Sequence, residues 1–137
     1  MAYCADTPLL DLPEDAFMVL VCIVDDDDSV RKSLGNLLKS MGYASVGFAS
    51  GEAFLASAVV DQAACVLLDL YMSGMQGLEV QHCLNESGKA IAVICMSAHN
   101  DEDAIAKAMA AGAKCFLSKP FSEDVLLSAI TQAVLHR

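Results

Sequence analysis

Short apolar runs alternate along this chain with stretches whose apolar residues recur at helical spacing. Strand-like runs cover Val19 to Val24, Ala44 to Phe48, Cys65 to Leu68, Ile91 to Met96 and Cys115 to Leu117. Four of them are nearly continuous in apolar residues, the pattern of strands buried on both faces of a parallel sheet. The second, in YASVGF, is more polar and reads as an edge strand. Helical stripes fit between the runs. Val30, Leu34, Leu37, Leu38 and Met41 share one face of a first helix that stops at Gly42. A second helix starts near Ser50 and carries Phe54 and Leu55, and a third runs from about Leu78 to Asn85. A fourth opens on Asn100-Asp101-Glu102-Asp103, acids suited to a helix N-terminus, buries Ile105, Ala108 and Met109, and ends at Gly112. A fifth is capped by Ser122 and buries Leu126, Ala129, Ile130, Ala133 and Val134. Regular β/α alternation at this length predicts one three-layer α/β domain with a doubly wound parallel sheet.

Composition narrows the class. The 137 residues, 55% of them hydrophobic, suffice for one domain with a real core over residues 18–137. No apolar stretch is long enough for a membrane span. Residues 1–17, MAYCADTPLLDLPEDAF, lack the basic start and continuous apolar centre of a secretory signal and read as a loosely ordered extension. The six cysteines form no CxxC pair, which argues against a zinc or thioredoxin-type site. Cys22, Cys65, Cys95 and Cys115 lie in or beside strand-like runs, where they act as small buried hydrophobes in a reduced, cytoplasmic setting. A net charge of −10 and a pI near 4.4 exclude nucleic-acid binding by this chain alone.

Candidate chemistry gathers at the carboxyl ends of the strands. The first strand runs straight into VDDDDS, so four aspartates follow a buried run. Crowded carboxylates repel and tend to protonate unless a positive group sits among them. The third strand ends in Asp69, the fourth in Ser97, and the fifth in Lys119 followed by Pro120. In open parallel sheets ligands bind beyond these ends, where strand order reverses. With strand order 2-1-3-4-5, Asp25, Asp26 and Asp69 converge in one cleft beside Ser97 and Lys119. An all-oxygen site of this kind suits Mg²⁺, which commonly pairs carboxylates with phosphate oxygens. Lys119 supplies a mobile positive charge and Ser97 a hydroxyl, so a carboxylate among them is equipped to attack phosphorus. Asp27 and Asp28 are left to face water or cap the first helix. No GxGxxG, GxxxxGK[ST] or GxSxG motif offers another route.

Four segments, VDDDDSVRKSL, VLLDLYMSGMQGLE, ICMSAHND and FLSKPF, resemble the receiver (CheY-like) domain of bacterial two-component response regulators. The likeness runs from about Val19 to Leu135, and ASGEAFL with KPF most resembles the FixJ-type receivers. It implies a flavodoxin-like (βα)5 sandwich with sheet order 2-1-3-4-5. It further implies that Asp69 is the phosphoacceptor, and that Asp25, Asp26, Asp69 and the backbone carbonyl of Tyr71 hold Mg²⁺, or Mn²⁺ in its place. Ser97 and Phe116 match the switch pair, Lys119 matches the invariant lysine, and the Lys119-Pro120 bond is expected cis. The implied donor is a histidine kinase or phosphotransfer protein. The implied output is a change in the surface of the fourth helix, fifth strand and fifth helix. Leu127 and Leu135, off the buried stripe, are candidates for a homodimer or partner face there. Many members of the family continue into a DNA-binding domain. Two departures stand out: Ser73 where the family often has proline, and Gly74 where an acid often follows, which together imply a more flexible loop. Two other readings of the same residues are a receiver-like binding module that works without phosphorylation and a Mg²⁺-dependent aspartyl-phosphate phosphohydrolase. The second usually needs an acid two residues after the nucleophile, where this chain has Tyr71.

Overall fold

The computed structural model describes residues 19–99 and 101–135. The extension expected over residues 1–17, with Cys4, and the expected helix opening at Asn100 lie outside the described residues. Five parallel strands, β1 (Leu20–Val24), β2 (Ala44–Phe48), β3 (Cys65–Asp69), β4 (Ala92–Ser97) and β5 (Cys115–Ser118), form one sheet in the order β2-β1-β3-β4-β5. This is the expected doubly wound order, with the polar second strand at an edge. Five helices alternate with them: α1 (Asp28–Ser40), α2 (Gly51–Leu55), α3 (Gly77–Ser87), α4 (Glu102–Ala110) and α5 (Glu123–Leu135).

Alternation along the strands divides the core in two. Val21 and Ile23 of β1, with Leu67 and Ile94, pack against Leu34 and Leu38 of α1 and Leu126 and Ile130 of α5. Cys22 and Val24, with Val66 and Cys95, face Phe54 of α2, Val80 and Leu84 of α3 and Ala108 of α4. Cys22, Cys65 and Cys95 are buried, as expected, and burial pushes the thiols of Cys22 and Cys95 up to about 11 and about 12. Cys115 is only half-buried, because β5 is the other edge of the sheet.

α2 starts after Ser50 and carries Phe54 and Leu55 as expected; it has five residues, and a 3-10 turn (Ala58–Asp61) follows, begun by the Ser57 hydroxyl accepting from the Val59 N–H. α4 departs from expectation. In α4 only Ala108 is buried, Ile105 is half-buried and Met109 is 43% exposed. A small residue at the contact brings the helix close and narrows its buried stripe. α3 grips that helix: Gln81 Nε2 donates to Ala108 O at 2.9 Å and Asn85 Nδ2 to Ala111 O at 2.8 Å.

Strand register decides what meets at the carboxyl edge. Val24 stands opposite Leu68, so the next residues, Asp25 and Asp69, emerge side by side. Asp69 lies opposite Met96 and Ser97 opposite Ser118, which brings Ser97 and Lys119 to the same end.

Candidate functional site

The four aspartates after β1 divide their work. Asp25 is buried, and its Oδ1 accepts the Asp27 N–H at 2.9 Å. Asp26 is exposed. Asp27 caps α1, its Oδ1 accepting from the N–H groups of Ser29 at 2.9 Å and Val30 at 3.4 Å. Asp28 pairs with Arg31 and Lys32 on the first turns of the helix. The run is therefore two site carboxylates, one cap and one surface carboxylate paired with two cations.

Asp69 ends β3 and is 6% exposed. Its Oδ1 accepts the Tyr71 N–H at 3.2 Å. Lys119 reaches in from the end of β5, and its Nζ donates to Asp25 Oδ2 at 2.7 Å and to Asp69 Oδ2 at 3.3 Å. The Lys119-Pro120 peptide is cis, as expected, and the Lys119 N–H donates to Ser97 O at 2.8 Å. Oxygens of Asp25, Asp26 and Asp69 lie within 4.8 Å of one another. Burial raises the carboxyl of Asp69 above its ordinary range; the charge of Lys119 works against this and the charge of Asp25 adds to it. Burial opposes the charge on Lys119, but its bond to Asp25 and the charges of Asp69 and Asp25 outweigh that and hold its pKa above the ordinary value. Three carboxylates thus cluster, two of them paired with one ammonium, and this donor set fits a hard divalent cation. The structure brings Asp25, Asp26, Asp69 and Lys119 together as expected.

Ser97 is fully buried at the tip of β4, and its Oγ accepts the His99 N–H at 2.9 Å. Phe116 is half-buried and packs against the core on the α2–α4 side. Tyr71 lies edge-on to His99, with ring centroids 4.9 Å apart, and its hydroxyl donates to Asp101 Oδ2 at 3.1 Å. Asp101 is also the N-cap of α4, so one carboxylate holds both the helix end and the tyrosine.

Arg31, Gln76 and Gly77 shape the site without having been singled out in the sequence, together with Ser73 and Gly74, which were. Arg31 Nη1 donates to Asp25 O at 2.7 Å and Nη2 to Asp28 Oδ1 at 3.0 Å, bracing the β1–α1 turn. A Cβ on Gly77 would stand 2.5 Å from Asp69 O and 2.8 Å from Leu70 Cα, so only glycine lets α3 start this close to the site. Gln76 Oε1 accepts the Met72 N–H at 3.1 Å, Gln76 N–H donates to Glu79 Oε1 at 3.0 Å, and Gly74 takes a φ of 76°. The Ser73 N–H donates to Asp26 Oδ2 at 3.0 Å, joining this loop to the β1–α1 turn. A basic residue just after an acidic run, and a glycine at a helix start, were the available signals for Arg31 and Gly77.

The geometry agrees with the chain's relatives. Residues 21–131 match the response regulator receiver domain family. The transcriptional regulatory protein FixJ of Azorhizobium caulinodans is 41% identical over 110 residues, covering 80% of this chain and 52% of that protein. The response regulator protein TodT of Pseudomonas putida is 39% identical over 115 residues, 84% of this chain and 51% of its own. The chain thus spans about half the length of these curated relatives. The crystal structure of FixJ-N superposes with a TM-score of 0.79 at 36% identity, covering 87% of this chain and 95% of that one. Among the described residues no helix is long and apolar enough to cross a membrane. Sheet order, the carboxylate cluster with its lysine, and these likenesses converge: the chain belongs to the response regulator receiver domain family.

Proposed function

We propose that this domain accepts a phosphoryl group on Asp69 from the phosphohistidine of a histidine kinase or phosphotransfer protein. The observation that carries this reading is a buried Asp69 whose Oδ2 lies 3.3 Å from Lys119 Nζ inside a cluster of three carboxylates. Asp25, Asp26, Asp69 and the Tyr71 carbonyl would hold Mg²⁺, or Mn²⁺ in its place, which supplies charge neutralisation at the phosphoryl oxygens. An oxygen of Asp69 attacks phosphorus in line. The O–P bond forms as the P–N bond of the donor breaks, and the leaving imidazole takes up a proton. Lys119, already between Asp25 and Asp69, turns its charge to the incoming phosphoryl group. Positioning and charge neutralisation supply most of the acceleration. Asp69 and Lys119 are thus the reacting and stabilising groups, and the domain catalyses only its own phosphorylation and dephosphorylation.

The new phosphoryl group offers an acceptor to Ser97, whose hydroxyl now serves the His99 N–H. Its rearrangement frees space for Phe116, half-buried on β5, to turn inward. The surface of α4, β5 and α5 then changes, a two-state element biased by one local charge. Val125, Leu127 and Leu135 of α5 and Met109 of α4 are exposed apolar residues on those helices, suited to a partner or a second copy. We extend to this chain the transcriptional output of relatives such as FixJ, and with it a cytoplasmic location.

Ser97→Ala separates acceptance from switching. The variant should still gain the phosphoryl mass, while hydrogen exchange over α4–β5–α5 and the sedimentation coefficient should respond to phosphorylation only in the parent protein. Equal responses in both would remove Ser97 from the switch.

A further inference from the structure

Each of the three clustered carboxylates gives one oxygen to a backbone N–H. For Asp25 and Asp69 the donor is local, two residues on, at Asp27 and Tyr71. Their other oxygens go to Lys119. Asp26 differs on both counts. It is exposed, Lys119 makes no ion pair with it among the described residues, and the N–H that holds its Oδ2 belongs to Ser73, 47 residues away on another loop. An exposed carboxylate beside two others is driven outward by like charge. The Ser73 amide opposes that drift.

We infer that the backbone N–H of Ser73 is a positioning group of the cation site, holding Asp26 in place before the cation arrives; this rests on the Mg²⁺ reading above. A carboxylate has acceptor capacity on both oxygens, so Oδ2 can keep its amide while Oδ1, which has no hydrogen-bond partner among the described residues, turns to the cation. Outer hydrogen bonds of this kind orient ligands and raise metal affinity. The role belongs to the amide and not to the hydroxyl, so residue 73 can be any residue that has an N–H. Proline has none. The tie also joins the loop carrying Gly74, at its positive φ, to the β1–α1 turn, so two ligand-bearing loops move together.

Calorimetric titration of the metal-free protein with Mg²⁺ tests this on Ser73→Ala and Ser73→Pro. Ser73→Ala keeps the amide and should bind within about twofold of the parent, whereas Ser73→Pro should bind about tenfold more weakly. The rate of acetyl-phosphate labelling in Ser73→Pro should fall at limiting Mg²⁺ and recover at saturation. Should Ser73→Pro misfold, the amide itself decides: in the metal-free parent the Ser73 N–H should exchange slowly, and Asp26→Ala should accelerate it. No Mg²⁺ binding by the parent would defeat the cation reading itself. Parent-like binding by Ser73→Pro, or a Ser73 N–H indifferent to Asp26→Ala, would overturn only the inference.

Discussion

Asp25 and Asp69 share the ammonium of Lys119, and Asp26 stands beside them with a backbone amide alone. The negative charge is therefore in excess, and burial of Asp69 makes it costly. Because the folded-state pKa of Asp69 is raised, the folded protein holds that proton more tightly than the unfolded chain. Asp69 favours folding below the ordinary carboxylate range and becomes a burden as pH rises through its folded value. Asp69→Asn should therefore melt higher than the parent at about pH 7 without divalent cations, and the gain should shrink toward about pH 4. A lower melting temperature at neutral pH would contradict the account. Tyr71 works on the same scale. With its ring against His99 and its hydroxyl on Asp101, it leans over the loop that follows Asp69. Tyr71→Ala should speed loss of the phosphoryl group severalfold by admitting water; an unchanged rate would remove the shielding role. Asp25, Asp26, Asp69, Ser97 and Lys119 were legible because each ends a recognisable apolar run. Tyr71's bond to Asp101 was not, since nothing local links residues 30 apart in sequence.

Among elements, the strands were the easiest to read, because burial on both faces leaves little room for polar residues. The helices were harder. α2 stops after one short turn because Ser57 starts a new one, and α4 buries one alanine where three residues were expected. The first outcome is set by a local cap, and the second depends on how closely α4 approaches its neighbours, which leaves no periodic mark in the chain. The start of α3 is the most constrained junction near the site. Gly77→Ala would drive a methyl into Asp69 O and Leu70 Cα. A clash against backbone cannot be relieved by a rotamer change, so the cost should be about 1–3 kcal/mol. Chemical denaturation measures that cost, and phosphorylation should slow as the end of β3 shifts. Wild-type stability in Gly77→Ala would show that the junction has slack.

At the scale of the molecule, the sheet order converts four separate strand ends into one site. β1 and β3 are neighbours although 40 residues of chain separate Val24 from Cys65, and β5 delivers Lys119 from the far edge. The fold was readable from alternation and the site from its position at the switch point. The proposed switch was less so, because a switch is a difference between two packings and a sequence pattern describes one. The net charge of −10 has the wrong sign for contacts to a phosphate backbone. All of this hangs on Asp69 accepting phosphorus. The most direct test is intact-protein mass after incubation with acetyl phosphate and Mg²⁺. The account predicts a gain of about 80 Da that is absent in Asp69→Asn and in the presence of EDTA, as an aspartyl phosphate made at a cation-dependent site requires. A folded parent protein that gains no mass, or an Asp69→Asn variant that gains the same mass, would contradict it.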